Sequence, residues 1–469
     1  MRIAFVHHHF RQGGVTRVIS QQASSLSARA STILITGEPP PHSISIPYTV
    51  VPSIAYDRDR SDHLRPSDIA REVIDAVSTH WEGGADLYHF HNPTLGKNVD
   101  FLAAIKAMIS MNQKVLLQIH DFAEDGRPWG YTREEYPSDC HYAVINRRDY
   151  GLLLEAGLKP QGLHYIPNSI RPLELAASNK VSQDIVLYPI RAIRRKNIGE
   201  SVLLSLFLKN DLKVGISLEP TGMLDVQSYR DWMDFVKHQG FRVLFRLGIE
   251  HDFAYILTRT RCMITTSIKE GFGLSFLEPW TGGKMLYGRL LADVCSDFIE
   301  KGIRLDHLYR DIKVPLAYID EGLFHRKWVN CYIERLVQYG ITESSEEIEE
   351  HFRSIIKTGY VDFGLLSEDL QRQVILGLSN NEKRRKKFLD LNPVLADTNF
   401  FKDSHEVIES NRRIVESEYS EEKNRELLLT VYEKVLSSDV TQSIDKKVLI
   451  LAFNTPEKNT LLLCESAYT

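Results

Sequence analysis

Residues 270–278, with the sequence EGFGLSFLE, combine residue types suited to binding a polar ligand. They follow an apolar run that predicts a strand ending near Ser267. Gly271 and Gly273 let the backbone approach a ligand closely, and the helix predicted after them would point its positive end at the same place. The carboxylates of Glu270 and Glu278 can accept hydrogen bonds from paired hydroxyls. The alternative is an ordinary strand–turn–helix connection with two solvated glutamates.

Residues 188–197, with the sequence YPIRAIRRKN, follow another predicted strand and end in a basic loop. Arg191 and Lys196 lie five positions apart in this loop. Cations fixed beside phosphate oxygens stabilise negative charge that builds there in a transition state more than they stabilise the ground state. The alternative is a basic surface loop between a strand and a helix.

Two features follow predicted strands in the first half of the chain. Gly13 and Gly14 come after the strand predicted at residues 2–6 and open a helix, although most glycine pairs are only turns. His120 and Asp121 end the strand predicted at residues 114–119. A histidine–aspartate pair by itself is more often a structural hydrogen bond than part of a binding site.

Histidines stand at two other strand ends. His91 and Asn92, with Lys97 shortly after them, are either ligand contacts or a strand end followed by a helix cap. The run of three histidines at residues 7–9 suggests a metal site. Adjacent strand residues point to opposite faces, however, so the three side chains cannot all bind one ion. We therefore expect no metal there.

Strands alternating with helices must position all of these residues. In the first half, strands are predicted at residues 2–6, 32–36, 87–90, 114–119, 142–145 and 163–166. In the second half, they are predicted at residues 184–188, 213–217, 242–247 and 262–265. This alternation predicts an α/β fold with two doubly wound parallel sheets. Two such sheets on one chain place a cleft between them, with the carboxyl ends of the strands facing it.

Long charged helices are predicted after residue 321. They cover residues 343–357, 367–378, 381–389 and 421–436. We therefore divide the chain into Rossmann-like domains at residues 1–175 and 176–320, a helical extension with a bridging helix at 321–437, and a tail at 438–469. The tail contains an apolar run at residues 448–453 that the sequence does not place in the fold.

Composition excludes several classes of protein. The 57 basic and 62 acidic residues give a net charge of −5, which offers no general attraction to nucleic acid. No stretch is long and apolar enough to cross a bilayer, so we expect no integral membrane association. Five scattered cysteines without a CxxC pair favour the reducing cytoplasm.

Taken in order, the motifs resemble those of family 4 retaining glycosyltransferases of the GT-B fold. Residues 270–278 resemble the family's Glu–Gly–Phe–Gly–Leu–x–x–Leu–Glu signature, and Arg191 with Lys196 resembles its Arg–x4–Lys loop. The match runs from residue 13 to about residue 436. The chain departs from the family by lacking a glycine before Arg191 and by having Asn197 where glycine is frequent.

The resemblance implies roles for individual residues. Glu270 would lie against the donor sugar, Glu278 would hold the ribose hydroxyls, and Arg191 with Lys196 would clamp the donor diphosphate. His120 would lie beside the donor sugar. The remaining implied donor contacts are the close approach at Gly14 and the backbone N–H groups of Phe272, Gly273 and Leu274.

The resemblance also implies the reaction. A hexose would pass from a UDP- or GDP-linked donor to an acceptor held by the first domain, where His91, Asn92 and Lys97 are the candidate contacts. The anomeric configuration would be retained, and neither a cofactor nor an essential metal would be needed. The neutral surface favours a small polar acceptor, such as a hydroxy acid, a polyol or a sugar derivative. The alternatives are a lipid-linked or polysaccharide acceptor, or an inactive GT-B protein that only binds nucleotide sugars.

Overall fold

A computed structural model describes residues 1–60, 63–174, 183–209, 211–396 and 404–464. The chain divides into two compact units. Unit 1 comprises Met1–Ile170 and Ser417–Phe453, and unit 2 comprises Arg171–Glu416 and Asn454–Thr469. The domain boundary that we predicted at residues 175 and 176 lies outside the described residues, as does the end of the tail from residue 465.

Unit 1 is built on a seven-stranded parallel sheet in the order β3-β2-β1-β4-β5-β6-β7. Its strands are β1 (Arg2–His7), β2 (Ser31–Thr36), β3 (Tyr48–Val50), β4 (Leu87–His91), β5 (Val115–Ile119), β6 (His141–Val144) and β7 (Leu163–Tyr165). The helices between them are α1 (Gly14–Leu26), α2 (Pro66–Ser78), α3 (Phe101–Ser110) and α4 (Arg147–Glu155). Six of these strands match the predicted runs. The short edge strand β3 escaped prediction because only three residues form it and none is fully buried.

Both faces of the unit 1 sheet are covered, which explains its continuous apolar strands. Along β1, Ala4 and Val6 join one core cluster, whereas Ile3 and Phe5 join the other. Alternate residues of a strand point to opposite faces, so each core receives every second side chain. The sheet is therefore buried between two helical layers. The ends of its strands are the part of the sheet that a ligand can reach.

Unit 2 is built on a five-stranded parallel sheet in the order β10-β9-β8-β11-β12. Its strands are β8 (Ile185–Arg191), β9 (Lys213–Leu218), β10 (Val243–Leu244), β11 (Thr260–Thr265) and β12 (Leu286–Gly288). Its first helices are α5 (Ile198–Ser205), α6 (Met223–Gln239), α7 (Leu247–Glu250), α8 (Phe253–Arg259), α9 (Glu278–Thr281) and α10 (Ala292–Glu300). The strand predicted at residues 242–247 is only two residues long, because Arg246 adopts a left-handed conformation and α7 begins directly after it.

The helix predicted directly after the glycines of residues 270–278 begins later than expected, although Glu278 belongs to it as predicted. A 3-10 turn at Leu274–Phe276 comes first, and α9 then contains only four residues. Gly282 caps this helix and Gly283 follows with a positive φ of 64°. Two successive glycines end the helix because they bring no side chain to hold the next turn.

The helical extension belongs to unit 2. It contains α11 (Glu321–Gln338), α12 (Ser345–Ile356), α13 (Glu368–Ser379), α14 (Glu382–Leu391) and α15 (Pro393–Ala396). It also contains an antiparallel pair, β13 (Lys313–Pro315) with β14 (Tyr360–Asp362). Ser344 and Glu347 form a capping box that fixes the start of α12, as the charged sequence there favours.

Three further helices follow, α16 (His405–Glu418), α17 (Glu421–Ser437) and α18 (Lys446–Phe453). The division between the units falls near the end of α16, so α17 and α18 belong to unit 1. Leu428, Val431 and Val435 of α17 are buried in the core that also contains Ile3 and Phe5. The apolar run of the tail forms α18, and its Leu449 and Phe453 are buried in the opposite core of the same sheet. Among the described residues, no helix has both the length and the apolar character needed to span a membrane.

Candidate functional site

The strand order places the loop after β8 beside the loop after β11. These strands are neighbours at the centre of the unit 2 sheet, where the chain order reverses. In parallel sheets, ligands bind outside the carboxyl ends of strands at such a reversal. Residues 191–197, which we call the clamp loop, follow β8, and Glu270 follows β11. The fold therefore brings two segments that are more than 70 positions apart to one point of one sheet edge.

Lys196 and Glu270 meet at this point. The Lys196 ammonium donates a hydrogen bond to Oε1 of Glu270, and the two side chains are 13% and 8% exposed. Nη1 of Arg195 lies 3.9 Å from the other carboxylate oxygen, Oε2. Two cations of the clamp loop therefore share one buried carboxylate. Arg195, which we did not assign to the site from the sequence, stands in the same Arg-Arg-Lys run as Lys196.

Burial and charge oppose each other in this pair. Burial would raise the pKa of Glu270, but the charges of Lys196 and Arg195 outweigh it and lower that pKa below its ordinary value. Burial lowers the pKa of Lys196, and the carboxylate of Glu270 offsets this only in part. The carboxylate is therefore ionised and held by cations that an incoming anion would also attract.

Two side-chain hydroxyl groups hold the backbone of Lys196 in place. Its carbonyl oxygen accepts hydrogen bonds from the Tyr188 hydroxyl at 2.8 Å and from Thr266 Oγ1 at 3.0 Å. Asn197 follows with a left-handed φ of 50°, a conformation that asparagine tolerates better than most residues. Asn197 therefore supplies the left-handed residue that this turn needs without a glycine.

The side chain of Asn197 links the clamp loop to the helical extension. Its Nδ2 donates to Glu200 at 2.8 Å, and its Oδ1 accepts from Nε2 of Gln371 in α13 at 2.9 Å. Both partners are fully buried. Arg289 donates to the same Glu200 at 2.6 Å and to Asp362 of β14 at 2.7 Å. The extension therefore supports the loop that carries Lys196, a role that its own sequence did not predict.

The glycine loop after Glu270 has a tightly defined backbone. Gly273 has a φ of 88°, and a Cβ added there would lie 2.7 Å from Val294 Cγ1. Phe272 is buried with its ring centroid 5.6 Å from that of Phe298. Leu274 and Glu278 remain partly exposed at the same edge, and the charge of Glu278 reaches Lys196.

Arg191 and Gly14 occupy different surroundings from the Lys196–Glu270 pair. Arg191 is exposed, and its Nη1 donates to the carbonyl oxygen of Glu219 at 3.1 Å. In the described chain, no contact joins Arg191 to Lys196 or Glu270. Gly14 is the first residue of α1 in unit 1 and is exposed, and a Cβ added there would meet no atom within 4 Å. Each of the two residues has room beside it for a ligand.

In unit 1, the chain order reverses between β1 and β4. His91 at the end of β4 bonds through Nδ1 to Nε2 of His120, which follows β5, at 3.0 Å. Burial lowers the pKa of His120 to about 4, so this imidazole is neutral at pH 7. His91 is fully buried. His91 is thus closed to solvent and in contact with His120, and its role as an acceptor contact stays a prediction.

Asn92 also has a structural contact. With a φ of 55°, it accepts the backbone N–H groups of His120 at 3.0 Å and Asp121 at 2.9 Å through Oδ1. Lys97 is half-buried, with its Nζ 3.5 Å from the centroid of the Trp129 ring. Of the three predicted acceptor contacts, His91 and Asn92 are therefore buried, whereas Lys97 is partly exposed.

The three histidines after β1 have separate partners. His7 bonds to the carbonyl oxygen of His91 at 2.8 Å, His8 to that of Ile54 at 2.7 Å, and His9 to the Tyr56 hydroxyl at 3.1 Å. Over the described ranges of the chain, no cluster of three or more histidine, cysteine, aspartate or glutamate side chains could hold a metal ion.

Comparison with solved structures tests the predicted fold. The chain is similar to sucrose-phosphate synthase from Thermosynechococcus elongatus, with a TM-score of 0.52, 12% identity and coverage of 93% of this chain and 99% of that chain. It is similar to HepE from Anabaena in complex with UDP and glucose, with a TM-score of 0.52, 11% identity and coverage of 92% and 99%. The GT-B fold with two Rossmann-like units is therefore confirmed, as is the resemblance to GT-B glycosyltransferases of family 4.

The chain is also similar to a named relative over most of that relative's length. The chain is 26% identical to the mannosylglucosyl-3-phosphoglycerate synthase of Petrotoga mobilis over 446 residues, which cover 84% of this chain and 85% of the relative. No protein-family model matches the chain.

Proposed function

We propose that the chain is a retaining glycosyltransferase that transfers a hexose from a UDP- or GDP-linked donor to a small, anionic acceptor. The observation that carries this proposal is the buried contact of Lys196 with Glu270 at the reversal point of the unit 2 sheet. A cation and a carboxylate held at such an edge fit the two ends of a diphosphate-sugar. The resemblance to GT-B glycosyltransferases supports the same reaction class.

Donor binding would separate the ion pair. A diphosphate attracts the Lys196 ammonium and the exposed guanidinium of Arg191, and the carboxylate of Glu270 is then free to accept sugar hydroxyls. Glu278 would hold the ribose hydroxyls, and the backbone of the glycine loop would approach the sugar and phosphate. Because charge builds on the leaving diphosphate, the two cations would stabilise the transition state more than the bound donor.

Transfer would take place on one face of the sugar. The bond between the anomeric carbon and the diphosphate oxygen breaks, the acceptor oxygen bonds to the same face of that carbon, and the acceptor proton passes to the diphosphate. A His120 with a pKa of about 4 is neutral at pH 7, which suits a hydrogen-bonding contact to the sugar better than transfer of a proton. Independence from metal ions and cofactors remains a prediction, tested by turnover in EDTA.

The acceptor follows from the relative. Its name states synthesis of mannosylglucosyl-3-phosphoglycerate. We therefore propose for this chain an acceptor in which a sugar is linked to phosphoglycerate, a narrower form of the hydroxy acid or sugar derivative expected from the sequence. We also propose a cytoplasmic location, which the five buried free cysteines support and fractionation of cells would test.

The test is a matrix of donors and acceptors. Purified protein is incubated with UDP-glucose or GDP-mannose, each with and without glucosyl-3-phosphoglycerate, and released nucleoside diphosphate is measured. We expect release that depends on the acceptor for one of the donors, and an anomeric proton coupling in the product that matches the donor. Thermal shifts with the donors but no release with any acceptor, including membrane extracts, would instead show a protein that only binds nucleotide sugars.

A further inference from the structure

We propose that Arg58, Lys97 and Arg127 of unit 1 form a basic subsite around Trp129 that binds the phosphate or carboxylate of the acceptor. The inference rests on the proposed function in one respect only, namely that unit 1 holds the acceptor. Nothing in the chain's motifs pointed to Arg58, Arg127 or Trp129 as functional residues.

Backbone contacts fix the position of Lys97. It follows β4 at the reversal point of the unit 1 sheet, where ligands of parallel sheets bind. The N–H group of the preceding Gly96 donates to the carbonyl oxygen of Gly130 at 2.7 Å. A Cβ on Gly96 would lie 3.0 Å from that oxygen, so the two loops approach as closely as a glycine allows. The loop of Lys97 and the turn that carries Trp129 are therefore held against each other.

The charged group of Lys97 lies on an open aromatic face. Its Nζ is 3.5 Å from the centroid of the Trp129 ring, and Trp129 is 59% exposed. Within the part of the chain that the structure describes, no carboxylate forms an ion pair with Lys97. The nearby Asp57 is already bonded to Arg60 at 2.6 Å and to the N–H group of Val99 at 3.1 Å. The ammonium of the half-buried Lys97 is therefore held on the Trp129 ring without an ion-pair partner among the described residues.

Arg58 approaches the same place from the loop after β3. Its guanidinium carbon is 5.4 Å from the centroid of the Tyr56 ring, and Nζ of Lys97 is 5.9 Å from the same centroid. The Arg58 side chain is 70% exposed, and its contact with Asp59 is long, at 3.5 Å. Two cations therefore flank the Tyr56 ring, and the side chain of one of them, Arg58, is largely exposed.

Arg127 supplies the third charge from the loop after β5. Its Nη2 donates to Asp121 at 2.6 Å, and its Nη1 to the carbonyl oxygen of Phe122 at 3.1 Å, so its position is fixed. Burial lowers the pKa of Lys97, and the charges of Arg58 and Arg127 lower it further. Arg58 and Arg127 are thus each close enough to repel the Lys97 ammonium. A bound phosphate or carboxylate would relieve that repulsion and accept charge-assisted hydrogen bonds.

The test compares acceptors with and without the anionic group. Lys97→Met and Arg58→Gln are each measured against the control Arg133→Gln, which removes an exposed arginine of the loop that carries Trp129. We expect Lys97→Met to raise the KM for a phosphoglycerate-linked acceptor about tenfold, as expected for a lost charged hydrogen bond. Its KM for the acceptor without phosphate and carboxylate, and its affinity for nucleoside diphosphate, should change less than about twofold, as should every constant of the control. An equal rise in KM for both acceptors, or no rise, would overturn the proposal.

A binding measurement separates this inference from the proposed function. Titration with 3-phosphoglycerate and with inorganic phosphate, without any donor, should show binding to the wild-type protein that weakens with salt and is lost in Lys97→Met. If this binding is present but no sugar is transferred, the subsite stands and the proposed function fails. If transfer proceeds but Lys97→Met behaves as the control does, the subsite fails and the function stands. Binding to phosphatidylglycerol vesicles in place of 3-phosphoglycerate would overturn the assignment to a small acceptor.

Discussion

Replacing Lys196 by alanine separates the chemical role of the clamp loop from its structural role. The change removes the hydrogen-bonded partner of Glu270 and leaves that carboxylate, whose side chain is 8% exposed, with Arg195 at 3.9 Å. Breaking a buried ion pair by removing one partner costs about 3–5 kcal/mol of stability. Because Arg195 remains and Glu270 can take up a proton, we expect a loss near the lower end of that range.

The same change should slow catalysis by a different route. A positive group aimed at developing charge is worth about 3–4 kcal/mol, which corresponds to a factor of roughly 100 to 1,000 in turnover. We therefore expect the folded Lys196→Ala variant to have a lower kcat than the wild type. The decrease should be at least about tenfold and can reach the full factor if Lys196 alone neutralises the diphosphate. The matched control is Lys213→Ala, which removes an exposed lysine at the opposite end of the same sheet, at the start of β9.

A double variant distinguishes the two effects. In Lys196→Ala combined with Glu270→Gln, no uncompensated buried charge remains, so the unfolding free energy should return to within about 1 kcal/mol of the wild type. Turnover should stay low, because the cation that contacts the diphosphate is still absent. The assays are urea unfolding and acceptor-dependent release of nucleoside diphosphate. Recovery of turnover in the double variant, or near-normal turnover in Lys196→Ala, would refute the clamp assignment.

Three further changes test the surroundings of the site. Gln371→Leu leaves Oδ1 of Asn197 without its donor, which should cost about 1–3 kcal/mol of stability. The change should also lower kcat and leave the acceptor KM unchanged. The control Gln373→Leu, at an exposed position of the same helix, should change neither stability nor kcat. Gly273→Ala forces a side chain into a φ of 88°, so urea unfolding should show a loss of about 1–3 kcal/mol, and a loss below about 0.5 kcal/mol would count against the strained loop. Because burial lowers the pKa of His120 to about 4, the unfolded state binds its proton more tightly, so stability present above pH 6.5 is lost as the pH falls toward 4, by about 2 kcal/mol at pH 5. A melting temperature that is unchanged between pH 7.5 and pH 5 would contradict that account.

The sequence predicted local features well. Strong apolar runs gave the central strands of both sheets, and the spacing within residues 188–197 and 270–278 pointed to the segments that meet at the unit 2 edge. Such features depend on residue type and near neighbours. The family resemblance supplied the order of the motifs, which no single motif could establish.

Features that depend on distant contacts were not predictable. The contact of Asn197 with Gln371 joins residues 174 positions apart, and the support that Arg289 gives to Glu200 spans 89. The helix expected directly after Gly273 begins only at Glu278, because a 3-10 turn at Leu274–Phe276 comes first. Arg58, Lys97 and Arg127 belong to three separate loops, so only the folded chain brings these cations together.

The most direct test of the account is a crystal structure of the protein soaked with UDP-glucose or GDP-mannose. We predict that Nζ of Lys196 leaves Glu270 and lies about 3 Å from a diphosphate oxygen, while the Glu270 carboxylate accepts a hydroxyl of the sugar. A donor bound elsewhere, or bound at this edge with Lys196 still paired to Glu270, would contradict the account.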